Sequence, residues 1–332
     1  MKCLVTGAAG FIGFHLCKAL LNRGAEVWGI DDFSSGKEER FHELSKDRSF
    51  HGLPGPLDAV SGLAEIIKQV ALIYHLAAVV GVKRYVEDPV RVIETNVCQG
   101  AMLLRLAQLH RRKIVFTSTS EVYGKSSVLP FNESADRLYG SSLTSRWCYA
   151  ISKSAAEHLC LGYAARGLPV VILRYFNVYG PHGDSSVYGG VANCFIKQAL
   201  EGKPLTVHGD GRQTRCFTYI DDIVAGTIAA GEAPAAVGHI INLGTDKEIS
   251  ILDLARLIIR LSGSEGGLIF QPYEEFYGFS YEDVPRRVPD ISAARRLLNY
   301  RPAVPLEEGL QRTLDWHRRK RAEVTNEKGR QS

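Results

Sequence analysis

The chain has 332 residues, 45% of them hydrophobic and 23% charged, with a formal net charge of +4. That length and balance suit one large or two moderate globular domains with ample core, and exclude a fibrous, disordered or membrane-embedded class. Residues 318–332 hold six Lys/Arg and two acids, which accounts for the whole basic excess, so the remaining body carries no nucleic-acid footprint.

The predicted elements, in chain order, begin with a short β-type run over residues 2–6. Gly7, Gly10 and Gly13 then open a helix over 11–21, and a second strand, 26–30, closes on Asp31 eighteen residues past Gly13. Strand, glycine turn, helix, strand and acid in register form a dinucleotide-binding unit. One glycine allows the tight turn, one lets backbone N–H groups approach a pyrophosphate, and one lets helix and strand pack closely. Phe11 and Ile12 belong to the same turn. Asp31, followed by Asp32, would accept hydrogen bonds from an adenosine ribose diol, which favours NAD over its 2′-phosphorylated relative. The polar loop after it carries Ser34, Ser35 and Gly36.

Residues 41–57 show no readable element, because HGLPGPL has too much Gly and Pro. A helix is predicted over 63–70, then a buried strand over 71–76. That strand ends in Ala77 and Ala78, small residues where a ligand approaches a strand's carboxyl end. Residues 89–109 read as one long helix and 113–118 as a strand, ending in Thr119, Ser120 and Glu121. A helix over 149–164, a strand over 170–174 and a loop over 175–190 follow. The alternation predicts an α/β fold, a Rossmann-type doubly wound parallel sheet.

Beyond residue 180 the rhythm loosens. Helices are expected over 191–201, 221–230 and 251–261, strands over 205–208, 239–243 and 268–271, and an ordered functional loop over 270–289. A last amphipathic helix spans 306–318. The expected division is a NAD-binding domain over 1–180, with segments near 210–245 returning to it, a smaller mixed α/β substrate lobe over 181–317, and a poorly ordered basic tail over 318–332.

Seven cysteines, at 3, 17, 98, 148, 160, 194 and 216, are scattered without a C-x-x-C pair and read as small hydrophobes rather than a disulfide framework or zinc site. His75, His182 and His208 lack ligand spacing, so no metal is expected. The longest apolar run, near 70–82, is too short to span a bilayer. The first strand leaves no room for a signal peptide, and a cytoplasmic location is expected.

Tyr149 and Lys153 are four apart on one helix face. A phenol of pKa ~10 is a poor base at neutral pH. A nearby ammonium and a positively charged nicotinamide ring would lower that value, suiting the pair to take a hydroxyl proton while hydride leaves the same carbon. Thr119 would complete the relay, and Glu121 stands at a strand's carboxyl end, where sites of this architecture lie. Asn177, Arg215 and Arg287 fall on loops at the same mouth, an amide and two guanidinium groups suited to an anionic diphosphate substrate.

Together these residues resemble the extended short-chain dehydrogenase/reductase family, within it the nucleotide-sugar epimerase/dehydratase/decarboxylase group. The motifs are TGAAGFIG, HLAA at 75–78, TSTSEVYG at 117–124, YAISK, RYFNVYGP at 174–181, GDGRQTRCFTYIDD and RRVPDI, and the resemblance covers residues 1–317. It implies NAD held tightly and recycled, a UDP- or dTDP-sugar in the smaller lobe, and a homodimer built on helices 89–109 and 149–164. Gly7, Gly10 and Gly13 match phosphate-loop positions, Asp31 the ribose ligand, Tyr149 and Lys153 the catalytic pair, and Asn177, Arg215 and Arg287 positions that hold the diphosphate or the sugar. The acidic adenine contact after the third strand is missing from HGLPGPLD.

Thr119, Ser120 and Glu121 look like the triplet of UDP-glucuronate decarboxylases and of GDP-mannose dehydratases. The dehydratases acting on dTDP-glucose have Asp-Glu after Thr, and simple 4-epimerases generally lack the Glu. The thirty residues from Thr119 to Tyr149, and the loop YEEFYGFSYEDVPRRVPDI, resemble decarboxylases of the aminoarabinose-pathway kind, with Arg287 meeting the sugar carboxylate. The resemblance therefore implies a UDP-glucuronate decarboxylase that yields UDP-xylose or a 4-keto pentose. A nucleotide-sugar 4-epimerase and then a 4,6-dehydratase are the alternatives, while intact Thr119, Tyr149 and Lys153 speak against a non-catalytic NAD-binding scaffold.

Overall fold

The computed structural model of the chain describes residues 1–186, 190–273, 275 and 282–331. Six strands, β1 (Lys2–Thr6), β2 (Glu26–Asp31), β3 (Phe50–Pro54), β4 (Leu72–His75), β5 (Lys113–Thr119) and β6 (Val170–Tyr175), join a later strand, Ile240–Leu243, in one sheet. The spatial order is Ile240–Leu243, β6, β5, β4, β1, β2, β3, and every pairing is parallel. This is the doubly wound sheet that the alternation predicts. The chain builds outward from β1 through β3, then crosses back to β4, so a crevice opens at the carboxyl ends of β1 and β4.

Successive side chains point to opposite faces, and both faces are covered. Val5, Tyr74, Val115 and Leu173 pack on one side with Phe14 and Leu16 of α1 (Phe11–Asn22). Leu4, Ile73, Ile114 and Ile172 pack on the other with Ile67, Leu103 and Cys160.

Three departures from the sequence reading have physical causes. The HGLP of HGLPGPL, with Phe50, forms the edge strand β3, preceded by a helix, Glu38–Leu44. An edge position tolerates Pro54 as the last residue, and Gly52 makes room for a ring, since a Cβ there would lie 2.5 Å from Phe41 Cε1. The long helix is continuous but not uniform. Pro89–Ile93 starts under an Asp88 cap, Glu94–Gln99 is a π-helical turn, and Gly100–Leu109 completes it. The last helix, Leu306–Gln331, runs past Arg318 into the stretch read as a poorly ordered tail. Its Lys, Arg and Glu are good helix formers, with pairs such as Arg318 Nη1–Asp315 Oδ1 at 3.1 Å.

Between β6 and the last helix lie short strands. Thr214–Cys216 pairs with Glu248–Ser250 on one side and Arg286–Arg287 on the other, which brings Arg215 opposite Arg287. Residues 187–189 of the loop read over 175–190, and residues 274 and 276–281 of that read over 270–289, lie outside the described residues.

Candidate active site

The glycine turn closes on β2, with Gly7 N donating to Ile30 O at 2.8 Å and Gly10 N to Gly7 O at 3.1 Å. Gly7 sits at φ 75°, and a Cβ on Gly13 would lie 1.9 Å from Gly7 O, so the helix approaches the turn as only glycine permits. No side chain caps α1, which leaves its first amides for a phosphate. Asp31 is buried. Its Oδ2 accepts from Ala9 N and its Oδ1 from Phe33 N, both at 2.8 Å, which opposes the upward push of burial on its pKa. Each oxygen keeps a lone pair for a ribose hydroxyl.

A cavity of about 440 Å³ connects this turn to the reactive residues. It is lined by Gly7, Gly10, Phe11, Ile12, Gly13, Asp31, Asp32 and Ala77, then by Thr119, Ser120, Glu121, Tyr149, Lys153, Asn177 and Arg287. Gly55, Pro56 and Leu57 line the end where an acidic adenine contact is missing. Arg215 lines a neighbouring cavity of about 430 Å³, and Asn177 borders both. A cradle free of side chains, an acid with spare lone pairs and a continuous cavity fit a dinucleotide.

Tyr149 and Lys153 project from the helix Trp147–Ala164. The Tyr149 ring stacks on Tyr85, with centroids 4.4 Å apart and planes 4° apart. Burial and then the Glu121 carboxylate push the phenol pKa up, against the Thr119 and Tyr85 hydroxyls. The lowering expected from Lys153 is therefore not a property of the chain alone. Lys153 Nζ instead donates to Thr117 O at 3.0 Å, and burial brings its own pKa down to about 8.

Glu121 is an anion. Burial alone would raise its pKa, but Arg287 and Arg146 bring it to about 2, with Arg215 acting in the same sense. Arg287 Nη1 donates to Glu121 Oε1 at 2.5 Å and Arg146 Nη1 to Oε2 at 3.0 Å. Arg215 Nη2 lies 2.9 Å from Asp283 Oδ1, whose other oxygen accepts from Tyr273 Oη at 2.8 Å. Sequence reasoning missed Arg146 and Asp283. Arg146 stands three residues before Tyr149, and at helical spacing that places it one turn away on the same face.

Glu157 was missed as well, although it continues the spacing of Tyr149 and Lys153 by one more turn. It is fully buried and takes two hydrogen bonds from Arg174, at 2.9 and 2.8 Å, with a third from Ser118. His75 shares a 2.8 Å hydrogen bond with Thr6, and His182 packs between Phe14 and Trp316. Among the described residues no three His, Cys, Asp or Glu side chains are grouped to hold a metal ion, and no helix is long and apolar enough to cross a membrane.

A dinucleotide crevice that opens directly onto an arginine-walled cavity, with a tyrosine and a lysine at the junction, is the arrangement of an NAD-dependent enzyme of nucleotide sugars. The chain belongs to the NAD dependent epimerase/dehydratase family, whose model matches residues 3–244. It is 43% identical over 317 residues to UDP-N-acetyl-alpha-D-glucosaminuronate decarboxylase of Bacillus cytotoxicus, covering 96% of this chain and 98% of that protein. With UDP-glucuronate 4-epimerase of Thermodesulfobacterium geofontis it shares 37% identity, over 94% and 95% of the two chains. A solved structure of UDP-glucuronic acid 4-epimerase from Bacillus cereus, in complex with UDP-glucuronic acid and NAD, matches with a TM-score of 0.86 and 36% identity, covering 96% of this chain and 99% of that one. The cofactor is NAD, and the protein is an enzyme of this decarboxylase and epimerase kind.

Proposed function

We propose that the chain is a NAD-dependent decarboxylase of a UDP-hexuronate, with UDP-glucuronate the simplest member of that class. The observation that carries this reading is the Glu121 carboxylate held between Arg146 and Arg287, in the same cavity as Thr119 and Tyr149. A plain exchange of hydride at C4 of a neutral sugar has no use for such a group, whereas a substrate carboxylate beside C5 does.

When bound, NAD supplies the hydride acceptor for C4 and a positive ring beside Tyr149. The Tyr149 phenolate takes the proton of the 4-hydroxyl, relayed by Thr119. The carboxylate then stands β to a ketone, so the C5–C6 bond breaks, its electron pair passes into the C4 carbonyl as an enolate, and CO₂ leaves. Tyr149 and Thr119 donate hydrogen bonds to the enolate oxygen. Arg287 orients the carboxylate, and Ser120 adds a hydroxyl donor beside it. Glu121, being ionised, accepts rather than donates, and orders the water that protonates C5 in place of the lost carboxyl, the hydroxide so formed leaving with CO₂ as bicarbonate. Asn177 and Arg215 hold the diphosphate.

A second reading, 4-epimerisation of the uronate, is favoured by the likeness to the Bacillus cereus 4-epimerase. Incubation with UDP-glucuronate and with UDP-N-acetylglucosaminuronate, followed by mass spectrometry, separates the two. Loss of CO₂ from either is the expected result; conversion of UDP-glucuronate to an isomer of equal mass would replace this reading with the second.

A further inference from the structure

Arg146 and Arg287 both grip Glu121, but from different sides. Arg287 lines the cavity, whereas Arg146 does not and its side chain is 1% exposed. Arg146 also donates through Nε to Glu282 O, stacks on the Trp147 ring at 5.0 Å and lies 4.0 Å from Asp283 Oδ1. It stands immediately before the helix that carries Tyr149. It therefore ties together that helix, the turn bearing Glu121 and the segment leading to Arg287.

The local charges give this position a purpose. Glu121 is held by two guanidinium groups, Arg287 on one oxygen and Arg146 on the other, while Arg215 pairs with Asp283. Arg287, at the cavity wall, is the guanidinium that can meet an incoming substrate carboxylate. When it does, Glu121 shares its 2.5 Å partner and gains an anionic neighbour. Two carboxylates so close favour protonation of one. The groups that then face Glu121 are Tyr149 and Tyr85, both neutral phenols in the chain alone, the more distant Arg215, and Arg146.

We propose that Arg146 is a positioning residue that holds Glu121 in place as a carboxylate while Arg287 engages the substrate's carboxylate. This rests on the decarboxylase reading, with Glu121 acting as an acceptor at C5. Arg146 is not a catalytic residue, for it touches neither cavity nor substrate.

The test compares wild type with Arg146→Met and Arg146→Lys as NAD-loaded full chains turning over UDP-glucuronate. Three readouts are taken: bound-cofactor reduction at 340 nm, CO₂ release, and the pH profile of kcat. In Arg146→Met, CO₂ release is expected to fall about 10²-fold, in the range of lost acid–base positioning. Cofactor reduction and KM should change little, so reduced cofactor accumulates. The acid limb of kcat should move to higher pH, because removal of a positive charge makes Glu121 easier to protonate. Arg146→Lys keeps the charge but loses the fork. It should restore the acid limb and part of the rate, and it carries the test if Arg146→Met does not fold.

Unchanged CO₂ release and pH profile in the folded variants would overturn the proposal. So would equal losses of cofactor reduction and CO₂ release without rescue by lysine, the mark of a merely structural arginine. If wild type releases no CO₂ from UDP-glucuronate or its 2-acetamido analogue, the decarboxylase reading fails and this proposal fails with it. Release by wild type with Arg146 variants unaltered removes the proposal alone.

Discussion

Lys153 shows how one side chain sets a pH window. It is 2% exposed and bonded to a carbonyl rather than a carboxylate, so burial brings its pKa down to about 8, while Cys160 and Glu157 act in the opposite sense. Below that value it is an ammonium and favours the Tyr149 phenolate; above it the charge is lost and the phenol, already pushed up by burial, becomes harder to ionise. The free enzyme's kcat/KM for UDP-glucuronate should therefore fall on the alkaline side from about pH 8, measured under single-substrate steady state. Lys153→Met should lower activity by about 10²-fold and abolish that limb; a limb that persists in the variant assigns it to another group. Tyr149 and Lys153 were legible because four-residue spacing is a local property of a helix. The upward push on the phenol was not, since it comes from burial and from Glu121, which only the fold brings there.

At the scale of the elements, local signals carried the parallel strands and failed where tertiary context decides. Near-continuous apolar runs such as LIYH are required by burial on both faces, so β4 could be read directly. The edge strand β3 could not, because Gly and Pro signal turns everywhere except at an edge. Nor could the π-helical turn at Glu94–Gln99, which has no sequence period of its own. Its purpose is visible in Asn96, buried on that turn. Asn96 Oδ1 accepts from Val79 N at 3.0 Å, and Nδ2 donates to Ser152 Oγ at 3.2 Å on the helix carrying Tyr149 and Lys153. The wider turn aims a single amide at both walls of the cavity. Asn96→Ala leaves the Val79 amide and the Ser152 hydroxyl short of a partner, and should cost about 1–3 kcal/mol in chemical denaturation. A change within experimental error would mean that water replaces the amide at no cost.

At the scale of the whole molecule, the site is assembled from parts far apart in sequence. The parallel sheet supplies Thr119, the turn that follows it Glu121, the helix after that turn Tyr149 and Lys153, and the small sheet built later Arg215 and Arg287 in register. The glycine turn specifies a dinucleotide but says nothing of the sugar; the choice between a neutral and an acidic sugar rests on charge. Of the three guanidinium groups gathered about Glu121 and Asp283, Arg287 is the one at the cavity wall. Its removal takes a positive charge from the cavity wall while sparing the glycine turn and the Tyr149 helix. Arg287→Met should therefore raise the Kd for UDP-glucuronate by about 10–100-fold, the scale of a lost charge-assisted pair, and alter that for UDP-glucose by no more than about 2-fold. Titration calorimetry on the NAD-loaded protein measures both. Equal weakening of the two ligands would make Arg287 a diphosphate ligand and return the recognition of the carboxylate to another group.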